Sequence, residues 1–322
     1  MAHRIGRRGA IALGLAPLAA RAQGFPDRPI KLIVPFPPGG PVDAAARIVA
    51  QALAPLLGQP VVIDNRSGAG GSVGIDALAK AAPDGFTLAL GSTGAVAVNV
   101  SLIPNLSYDP RRDLVPVGMV AGVPSLLVVR PGLPVRDIAG LLALVRQKPG
   151  GLTFASTGPG GSPHLAAELL KLRAGLDIVH VAYRGAAPAI TALLGNEVDM
   201  AFLDLSVLLP QVRDGALRPM ALAAAERSPA LPAVPTLAES GVAGVEVENW
   251  YAVMAPARVP AERLAVLSAA LREAMAQPET AARFTAQGAR VIGGTPAEAA
   301  AFIAAEIERW AEVVRRADIR PD

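Results

Sequence analysis

The sequence predicts an α/β protein of two lobes, each built on a doubly wound sheet and joined by a two-stranded hinge. Strand-like and helix-like segments alternate after residue 26, which is typical of parallel sheets covered by helices. A Pro/Gly-rich turn between a strand and a helix occurs once in each half of the chain. Three helix-like segments follow the second alternating unit, which indicates that the chain returns to the first lobe.

Residues 1–22 have the three-part composition of an export signal. A basic start containing Arg7 and Arg8 precedes a small apolar run at 9–20, and residues 20–22 match the small-x-small pattern of a cleavage point. The run is shorter than the roughly 17–25 residues that a membrane-spanning helix needs. The arginine pair suits twin-arginine export as well as the ordinary secretory route. We therefore predict a signal peptide at 1–22 and a periplasmic location.

Composition excludes several classes of protein. A hydrophobic content of 52% with 18% charged residues indicates a globular chain. The chain has no cysteine, and one of its three histidines, His3, lies in the signal, so neither a disulfide framework nor a metal site is expected. Without residues 1–22 it has 26 basic and 27 acidic residues, which argues against nucleic-acid binding. No cofactor, metal or nucleic-acid partner is predicted.

The first half of the chain is predicted to contain three strands and two helices. Segment 43–57 carries apolar residues at helical spacing, including Ile48 and Leu53, and Gly58 is a suitable stop. The strands are predicted at 30–35, 61–64 and 86–91, and the helices at 43–57 and 72–81.

The second half repeats this alternation and then becomes helical. The predicted strands are 153–155, 178–181, 198–202 and 220–223, and the predicted helices are 136–147, 163–173, 187–194 and 206–213. A strand-like return at 245–255 precedes three closing helices, which are predicted at 260–275, 279–287 and 296–316.

Two passages between the lobes are inferred, at residues 117–129 and 245–256. Two such strands make a hinge that permits closure around a ligand while keeping the lobes in register. The expected first lobe comprises residues 25–122 and 250–322, and the second comprises residues 123–249.

The turn at 36–43 has the features of an anion-binding loop. A helix that starts after a glycine-containing turn leaves backbone N–H groups without partners, and its dipole is positive there. The turn lacks both the Gly-Lys-Ser/Thr ending of a P-loop and the Gly-x-Gly-x-x-Gly spacing of a Rossmann fingerprint. Two interpretations stay open: Gly39 and Gly40 N–H groups that reach a ligand carboxylate, or glycines needed for turn geometry alone.

A similar turn at 156–164 carries the only nearby candidates for acid–base chemistry. Ser156 and Ser162 can exchange hydrogen bonds with a ligand, and Pro163 suits the first helical turn. A structural role is favoured for His164, because Glu168 is its only acidic neighbour in sequence. A serine hydrolase is poorly supported, since neither Ser156 nor Ser162 stands in a Gly-x-Ser-x-Gly elbow.

Other polar residues allow two interpretations each. Arg66, in the Gly-rich loop 65–71, either attracts an anion or, as we favour, pairs at the surface with Asp64. Tyr183 suits a pocket wall, and Arg184 faces either the cleft or the solvent. Asp199 is favoured as a turn or cap carboxylate. Asp204 is either such a carboxylate or accepts a hydrogen bond from an amino group of the ligand. Trp250 and Tyr251 are favoured as packing residues at the hinge.

These motifs together resemble the extracytoplasmic receptors of the tripartite tricarboxylate transporter (TTT) family, the Bug proteins. The resemblance runs from about residue 25 to the C-terminus. It includes VPFPPGG at 34–40, NRSGAGG at 65–71, PDGFT at 83–87, HLAAE at 164–168, HVAYRG at 180–185 and VPTLAESG at 234–241.

The resemblance implies a monomeric, non-enzymatic, type II-like periplasmic binding protein without a cofactor. Its ligand would be a small organic carboxylate (a di- or tricarboxylate, an acidic amino acid or an aromatic acid), delivered to TTT membrane permease subunits. Family members hold the carboxylate through loop backbone groups, partly through ordered waters. The ligand-binding residues that the resemblance implies are Phe36, Pro37, Pro38, Gly39, Gly40, Ser92, Thr93, Ser156, Thr157, Gly158, Gly160, Ser162, Tyr183, Arg184, Gly185 and Asp204.

Two residues depart from the family pattern. Val42 stands where the family usually has Thr or Ser, which removes a hydroxyl, and Arg184 stands where it often has Lys. Two other functions are also considered. One is a ligand-responsive protein that docks on a membrane sensor, and the other is a periplasmic hydrolase that uses Ser162 or Ser156 with His164.

Overall fold

The computed structural model describes residues 24–320. The predicted signal peptide at 1–22 lies outside the described residues. Within the described part of the chain, no helix combines the length and the apolar character that crossing a membrane requires.

The first unit of the structure is parallel α/β, as predicted. Strand β1 pairs in parallel with β2 and with β3. Helix α1 ends at Gly58, which takes the left-handed conformation (φ 64°) that favours glycine. The elements are β1 (Ile30–Val34), α1 (Pro41–Leu57), β2 (Val61–Asn65), a 3-10 turn (Ala69–Gly71), α2 (Ser72–Ala79) and β3 (Thr87–Ser92).

A buried helical connection that the sequence did not predict follows β3. It consists of a π-helical segment (Thr93–Val98), α3 (Asn99–Leu102) and, further on, α4 (Pro110–Asp113). The side chains of residues 95–98 are fully buried. A segment that is apolar on all sides has no hydrophobic periodicity from which a helix can be predicted.

The second unit is again α/β. Strand β5 pairs in parallel with both β6 and β7. Its elements are β4 (Leu114–Val129), α5 (Ile138–Gln147), β5 (Thr153–Ser156), α6 (Ser162–Ala174), β6 (Val179–Ala182), α7 (Ala186–Leu194), β7 (Met200–Asp204), α8 (Leu205–Arg213) and β8 (Arg218–Ala223).

The end of the chain returns to the first unit. Strand β9 pairs antiparallel with β3, and Glu306 of the last helix accepts the indole N–H groups of Trp250 (2.9 Å) and Trp310 (2.8 Å). These bonds fix the return strand to the last helix. The closing elements are β9 (Glu248–Pro256), α9 (Ala261–Ala276), α10 (Pro278–Ala286), β10 (Arg290–Val291) and α11 (Pro296–Arg316).

Strand β4 is shared by both halves. Its residues 114–124 pair with β9, whereas residues 125–129 pair with β7 and β8. The strands therefore form one continuous ladder in the order β2-β1-β3-β9-β4-β7-β5-β6, with β8 and β10 also on β4. The second connection between the halves passes through Val247, just before β9. The Val247 carbonyl accepts from the Ser125 N–H (3.1 Å), and the Val247 N–H donates to the Ala223 carbonyl (2.8 Å).

Both faces of this sheet are covered. Along β1, Leu32 belongs to one buried cluster and Ile33 to the other; along β4, Leu126 and Leu127 divide in the same way. Alternating side chains that are buried on both faces are expected of parallel strands between two helical layers. The predicted fold class is confirmed.

The predicted position of β7 was two residues too early. We predicted 198–202, but the strand runs from Met200 to Asp204. Val198 is apolar and buried, so sequence pattern alone includes it in the strand. The shift places Asp204 at the carboxyl end of β7, directly before α8.

Candidate functional site

Three helices in each half begin just after the carboxyl ends of parallel strands. In the first half α1, α2 and the π-helical segment follow β1, β2 and β3; in the second, α6, α7 and α8 follow β5, β6 and β7. The first N–H groups of each helix have no intrahelical partner, and the dipole there is positive. Each half thus presents an edge that suits an anion, at the place where α/β sheets bind ligands.

The two edges meet at the second loop, residues 156–162. A Cβ atom added to Gly160 would lie 2.2 Å from Leu102 Cδ2 and 3.4 Å from Val98 Cγ1, and one added to Gly94 would lie 3.5 Å from the Gly160 carbonyl oxygen. Gly160 also has a φ of 70°. The loop therefore packs directly against the π-helical segment and α3 of the first half, and this approach requires glycine.

A buried carboxylate organises the first loop. Asp43 is 2% exposed and accepts from the Gly39 N–H (3.0 Å), from Arg47 Nε (2.8 Å) and from Asn65 Nδ2 (3.0 Å). Asn65 Nδ2 also donates to the Phe36 carbonyl (3.0 Å). Burial raises the Asp43 pKa, but the bonds from Arg47, Gly39 and Asn65 outweigh it and lower the pKa below its ordinary value.

This network decides between the two interpretations of Gly39. Its N–H donates to Asp43 and not to a ligand carboxylate, and its φ of 82° suits the turn-geometry interpretation. Pro37 and Pro38 carry no N–H, so Gly40, immediately before α1, is the glycine of this loop that can donate to a ligand. Sequence reasoning missed Asn65, although its position at the carboxyl end of β2 was a signal.

The Gly-rich loop after β2 supports this arrangement. A Cβ atom at Gly71 (φ 90°) would lie 3.1 Å from the Phe36 ring and 2.9 Å from Ala95 Cβ. Gly71 therefore lies between the Phe36 ring and Ala95 of the π-helical segment, where a side chain would not fit. Arg66 lies at the surface, 44% exposed, with Nε 3.0 Å from Asp64 Oδ2, which confirms the favoured surface pair.

The end of β3 is buried under the return strand. Ser92 and Thr93 are 2% and 0% exposed. Thr93 Oγ1 donates to the Glu248 carbonyl (3.1 Å) and accepts from the Trp250 N–H (2.9 Å). The Thr93 hydroxyl is thus committed to β9, and what this position can offer a ligand is its backbone N–H at the start of a helix.

A stack of rings supports the second loop. His164 lies 4.0 Å from His180 with nearly parallel rings, and His180 lies 4.7 Å from Phe154 (centroid distances). The Gly160 N–H donates to His164 Nδ1 (3.2 Å), and Ser156 Oγ is 2.7 Å from His180 Nε2. Burial above all, with the charges of His180 and Lys171, lowers the His164 pKa to about 3. His164 is therefore neutral at physiological pH, in agreement with the structural role we favoured.

The serine–histidine pairs of the hydrolase alternative are not formed. Ser156, which is fully buried, bonds to His180 and accepts from the Gly158 N–H (3.1 Å). Ser162 Oγ donates to Asp204 Oδ1 (3.4 Å). Neither hydroxyl is bonded to His164, so the geometry does not support the hydrolase that was considered.

Asp204 lies where β4 passes from one half to the other. It is 5% exposed, and its Oδ2 accepts from Asn249 Nδ2 of β9 (2.8 Å). Asn249 Nδ2 also lies 3.4 Å from Tyr251 Oη. Burial raises the Asp204 pKa to about 6, opposed by the bonds from Asn249 and Ser162. The Asn249 contact was not predicted, because it joins residues 45 positions apart.

The loop after β6 adjoins the second loop. The Tyr183 N–H donates to the Ser156 carbonyl (3.1 Å), and the Gly185 N–H donates to the Tyr183 carbonyl (2.9 Å). Tyr183 and Gly185 are half-buried, whereas Arg184 is exposed. Asp199 lies elsewhere, before β7, and accepts from Arg130 Nε (3.0 Å) and the Thr153 N–H (3.0 Å), as expected of a structural carboxylate.

The predicted site residues thus form one connected set. The second loop joins Asp204 through Ser162, the loop after β6 through Ser156, and the first half through Gly160. The 36–40 loop joins them through Gly71 and the π-helical segment.

The loops differ in how deeply their residues are buried. In the first loop, Phe36 and Gly40 are half-buried, and Pro37, Pro38 and Gly39 are exposed. In the second loop, Thr157 and Gly158 are half-buried, and Gly160 and Ser162 are buried.

Known proteins resemble this chain over almost its whole length. Residues 45–319 match the tripartite tricarboxylate transporter family receptor. The chain is 43% identical to Protein BugT of Bordetella pertussis, over 91% of this chain and 90% of that protein. Two solved structures are similar: R. palustris Rpa4515 with adipate (36% identity, TM-score 0.87, 92% and 100% covered) and MatC from Rhodopseudomonas palustris with bound malate (35%, 0.82, 90% and 100%).

Proposed function

Because this chain belongs to the family of tripartite tricarboxylate transporter receptors, we propose that it binds a small organic carboxylate in the periplasm and delivers it to TTT membrane permease subunits. The relatives that are described with adipate and with malate support an aliphatic dicarboxylate as the ligand. The protein acts by binding and release, without a catalytic step.

The observation that carries this proposal is the meeting of helix N-termini from both halves at the second loop. Each N-terminus stabilises a nearby anion by about 0.3–1 kcal/mol, and more when it is partly buried. Two such edges suit a ligand with a carboxylate at each end. The Gly40 N–H before α1, the N–H groups of residues 93 and 94, and that of Ser162 are the donors we assign to the ligand, directly or through water.

We assign residues 25–122 and 250–322 to the first lobe and residues 123–249 to the second. The pairing of β4 supports this division, because its residues 114–124 pair with β9 and its residues 125–129 pair with β7 and β8, so the change of partner lies close to the boundary at 122. Bending at these two passages opens or closes the edges on each other. The ligand favours the closed form in proportion to its preferential binding to that form.

Calorimetry on the folded protein tests the proposal. Carried-over ligand is first removed by unfolding, dialysis and refolding, and circular dichroism checks that the fold is restored. Adipate, malate, citrate and benzoate are then titrated at equal pH and ionic strength. We expect saturable binding of adipate or malate; a refolded protein that binds no carboxylate contradicts the proposal.

A further inference from the structure

Resting on the proposed function, we infer that Arg290 is a positioning residue for carboxylate binding that acts from outside the cleft. Through Glu248 it holds the return passage, residues 246–250, against the first lobe, and so sets how firmly the lobes close. The return passage is one of the two segments that cross between the lobes. A side chain that restrains this segment therefore acts on the hinge as a whole.

The even-numbered residues of the return passage are bonded to the first lobe. The Glu246 carbonyl accepts from Arg309 Nη2 of α11. The Glu248 carboxylate accepts from Arg290 Nε (2.8 Å) and Nη2 (2.6 Å) of β10. The Trp250 indole N–H donates to a carboxylate of α11 (2.9 Å). Both β10 and α11 belong to the part of the chain that returns to the first lobe.

The odd-numbered residues, 247 and 249, are bonded to the second lobe. The Val247 carbonyl accepts from the Ser125 N–H (3.1 Å), and the Val247 N–H donates to the Ala223 carbonyl (2.8 Å). Asn249 Nδ2 donates to Asp204 Oδ2 (2.8 Å) at the edge of the cleft. The passage is thus held from both lobes within five residues. Because the two sets of bonds alternate along one short strand, a shift of the even-numbered residues moves the odd-numbered ones as well.

The ion pair of Arg290 and Glu248 is placed by two strands. Arg290 lies opposite Gly122 in the ladder of β10 and β4. A Cβ atom at Gly122 would lie 2.8 Å from Glu248 Oε2, so the missing side chain leaves room for the carboxylate. The pair is bidentate, which fixes its geometry. The Arg290 side chain is 61% exposed, so the pair contributes little to overall stability and suits a role in position.

A cavity of about 640 Å³ lies beside this ion pair, away from the cleft edge. Glu248 lines the cavity, whereas the next side chain, Asn249, reaches Asp204 on the opposite face of the strand. Both lobes line the cavity, the second with residues 224–229 and the first with residues 288–291. The open space lets these walls move as the hinge bends, so the ion pair rather than close packing holds the passage on this face.

Replacing Arg290 tests this role. Arg290→Met removes the guanidinium and keeps an unbranched stem. We expect it to bind malate or adipate about two- to fivefold more weakly than the wild type, because the apparent affinity falls with the population of the binding-competent form. Arg290→Lys keeps a cation beside Glu248 but loses the bidentate pair, so its affinity should lie between the two.

Arg227→Met is the matched control. Arg227 lines the same cavity, and its Nε donates to both carboxylate oxygens of Glu239 (3.0 and 2.8 Å). Both of these residues belong to the second lobe. The substitution therefore removes the same charge and a comparable ion pair without affecting a contact across the hinge, and the affinity should stay that of the wild type.

Calorimetric titration with malate and adipate at pH 7.5, together with urea unfolding, compares these variants with the refolded wild type. Both methionine variants should change the free energy of unfolding to a similar, small extent, whereas only Arg290→Met should weaken binding. Wild-type affinity in folded Arg290→Met, or equal weakening in Arg227→Met, overturns the inference and leaves the proposed function intact. Refolded wild type that binds no carboxylate overturns the proposed function itself.

A second variant covers the case in which Arg290→Met does not fold. Gly122→Ala places a Cβ atom against Glu248 Oε2 and displaces the carboxylate without changing any charge. We expect this variant also to bind malate or adipate more weakly than the wild type. Folded Gly122→Ala that binds as tightly as the wild type contradicts the role given to the ion pair.

Discussion

His164 Nδ1 accepts a hydrogen bond from the backbone N–H of Gly160 (3.2 Å), so a side chain of α6 holds the loop that precedes it. Gly160 is the residue of that loop that packs against Leu102 of the first half. The bond thus connects the ring stack beneath the loop to the place where the two halves meet. It also requires an unprotonated Nδ1, because that atom accepts.

Replacing His164 by alanine removes this acceptor. We expect His164→Ala to lower the free energy of unfolding by about 1–3 kcal/mol, since a buried N–H is left without a partner, and to weaken malate or adipate binding. His164→Asn is the matched control, because its amide oxygen can accept the same bond. Urea unfolding and calorimetry check both variants, and equal binding by folded His164→Ala and wild type contradicts the positioning role.

The same residue predicts a dependence of stability on pH. The His164 pKa is about 3 in the folded protein and about 6.5 in an unfolded chain. The unfolded state therefore gains a proton first as the pH falls, so the stability linked to His164 is present above pH 6.5 and is lost between pH 6.5 and 3.

Comparison with His164→Asn isolates this effect. Asparagine does not titrate, and the contributions of all other titratable groups to the free energy of unfolding are largely the same in both proteins. The free energy of unfolding of the wild type should fall relative to that of the variant by an amount of the order of a few kcal/mol between pH 7.5 and pH 4. Urea titrations at pH 7.5, 5.5 and 4 measure the difference. A constant difference across that range would show that His164 is not buried in its neutral form.

Gly160 is predicted to be intolerant of any side chain. Gly160→Asn keeps a residue that tolerates a positive φ but places its Cβ against Leu102. We expect loss of stability of about 1–3 kcal/mol from overpacking and ligand binding weakened at least about tenfold. Gly175→Asn is the control: its φ is 62° but it has no atom within 4 Å of the added Cβ. Similar effects of both substitutions point to backbone strain rather than to contact between the halves.

Asn65 is predicted to be a positioning residue for the first loop. Asn65→Leu removes the donor to the Phe36 carbonyl and to Asp43 and leaves both buried acceptors less satisfied. We expect malate or adipate binding to weaken several-fold, with a loss of about 1–2 kcal/mol in stability. Its neighbour Arg66→Ala, which breaks only an exposed pair with Asp64, should change stability by no more than about 0.5 kcal/mol and leave binding unchanged.

Much of the fold was readable from sequence because it depends on local pattern. Helix α11 was predicted with its observed bounds, since its amphipathic spacing, Pro296 and the capping pair of Thr295 and Glu298 are local features. The π-helical segment was missed because a segment buried on all sides has no periodicity. Strand β10 was missed because its two residues, Arg290 and Val291, pair with β4 far away in the chain.

The sequence by itself determined where the loops fall, that they follow strands and precede helices, and hence that the protein suits an anion. Only the tertiary structure decided which groups in those loops are free. Asp43 takes the Gly39 N–H, β9 takes the Thr93 hydroxyl, and Asn249 takes one oxygen of Asp204. The physical reason is that helix starts and glycine turns are set by neighbours in the chain, whereas most of these donors and acceptors find their partners across tens of residues, through the way the strands pack.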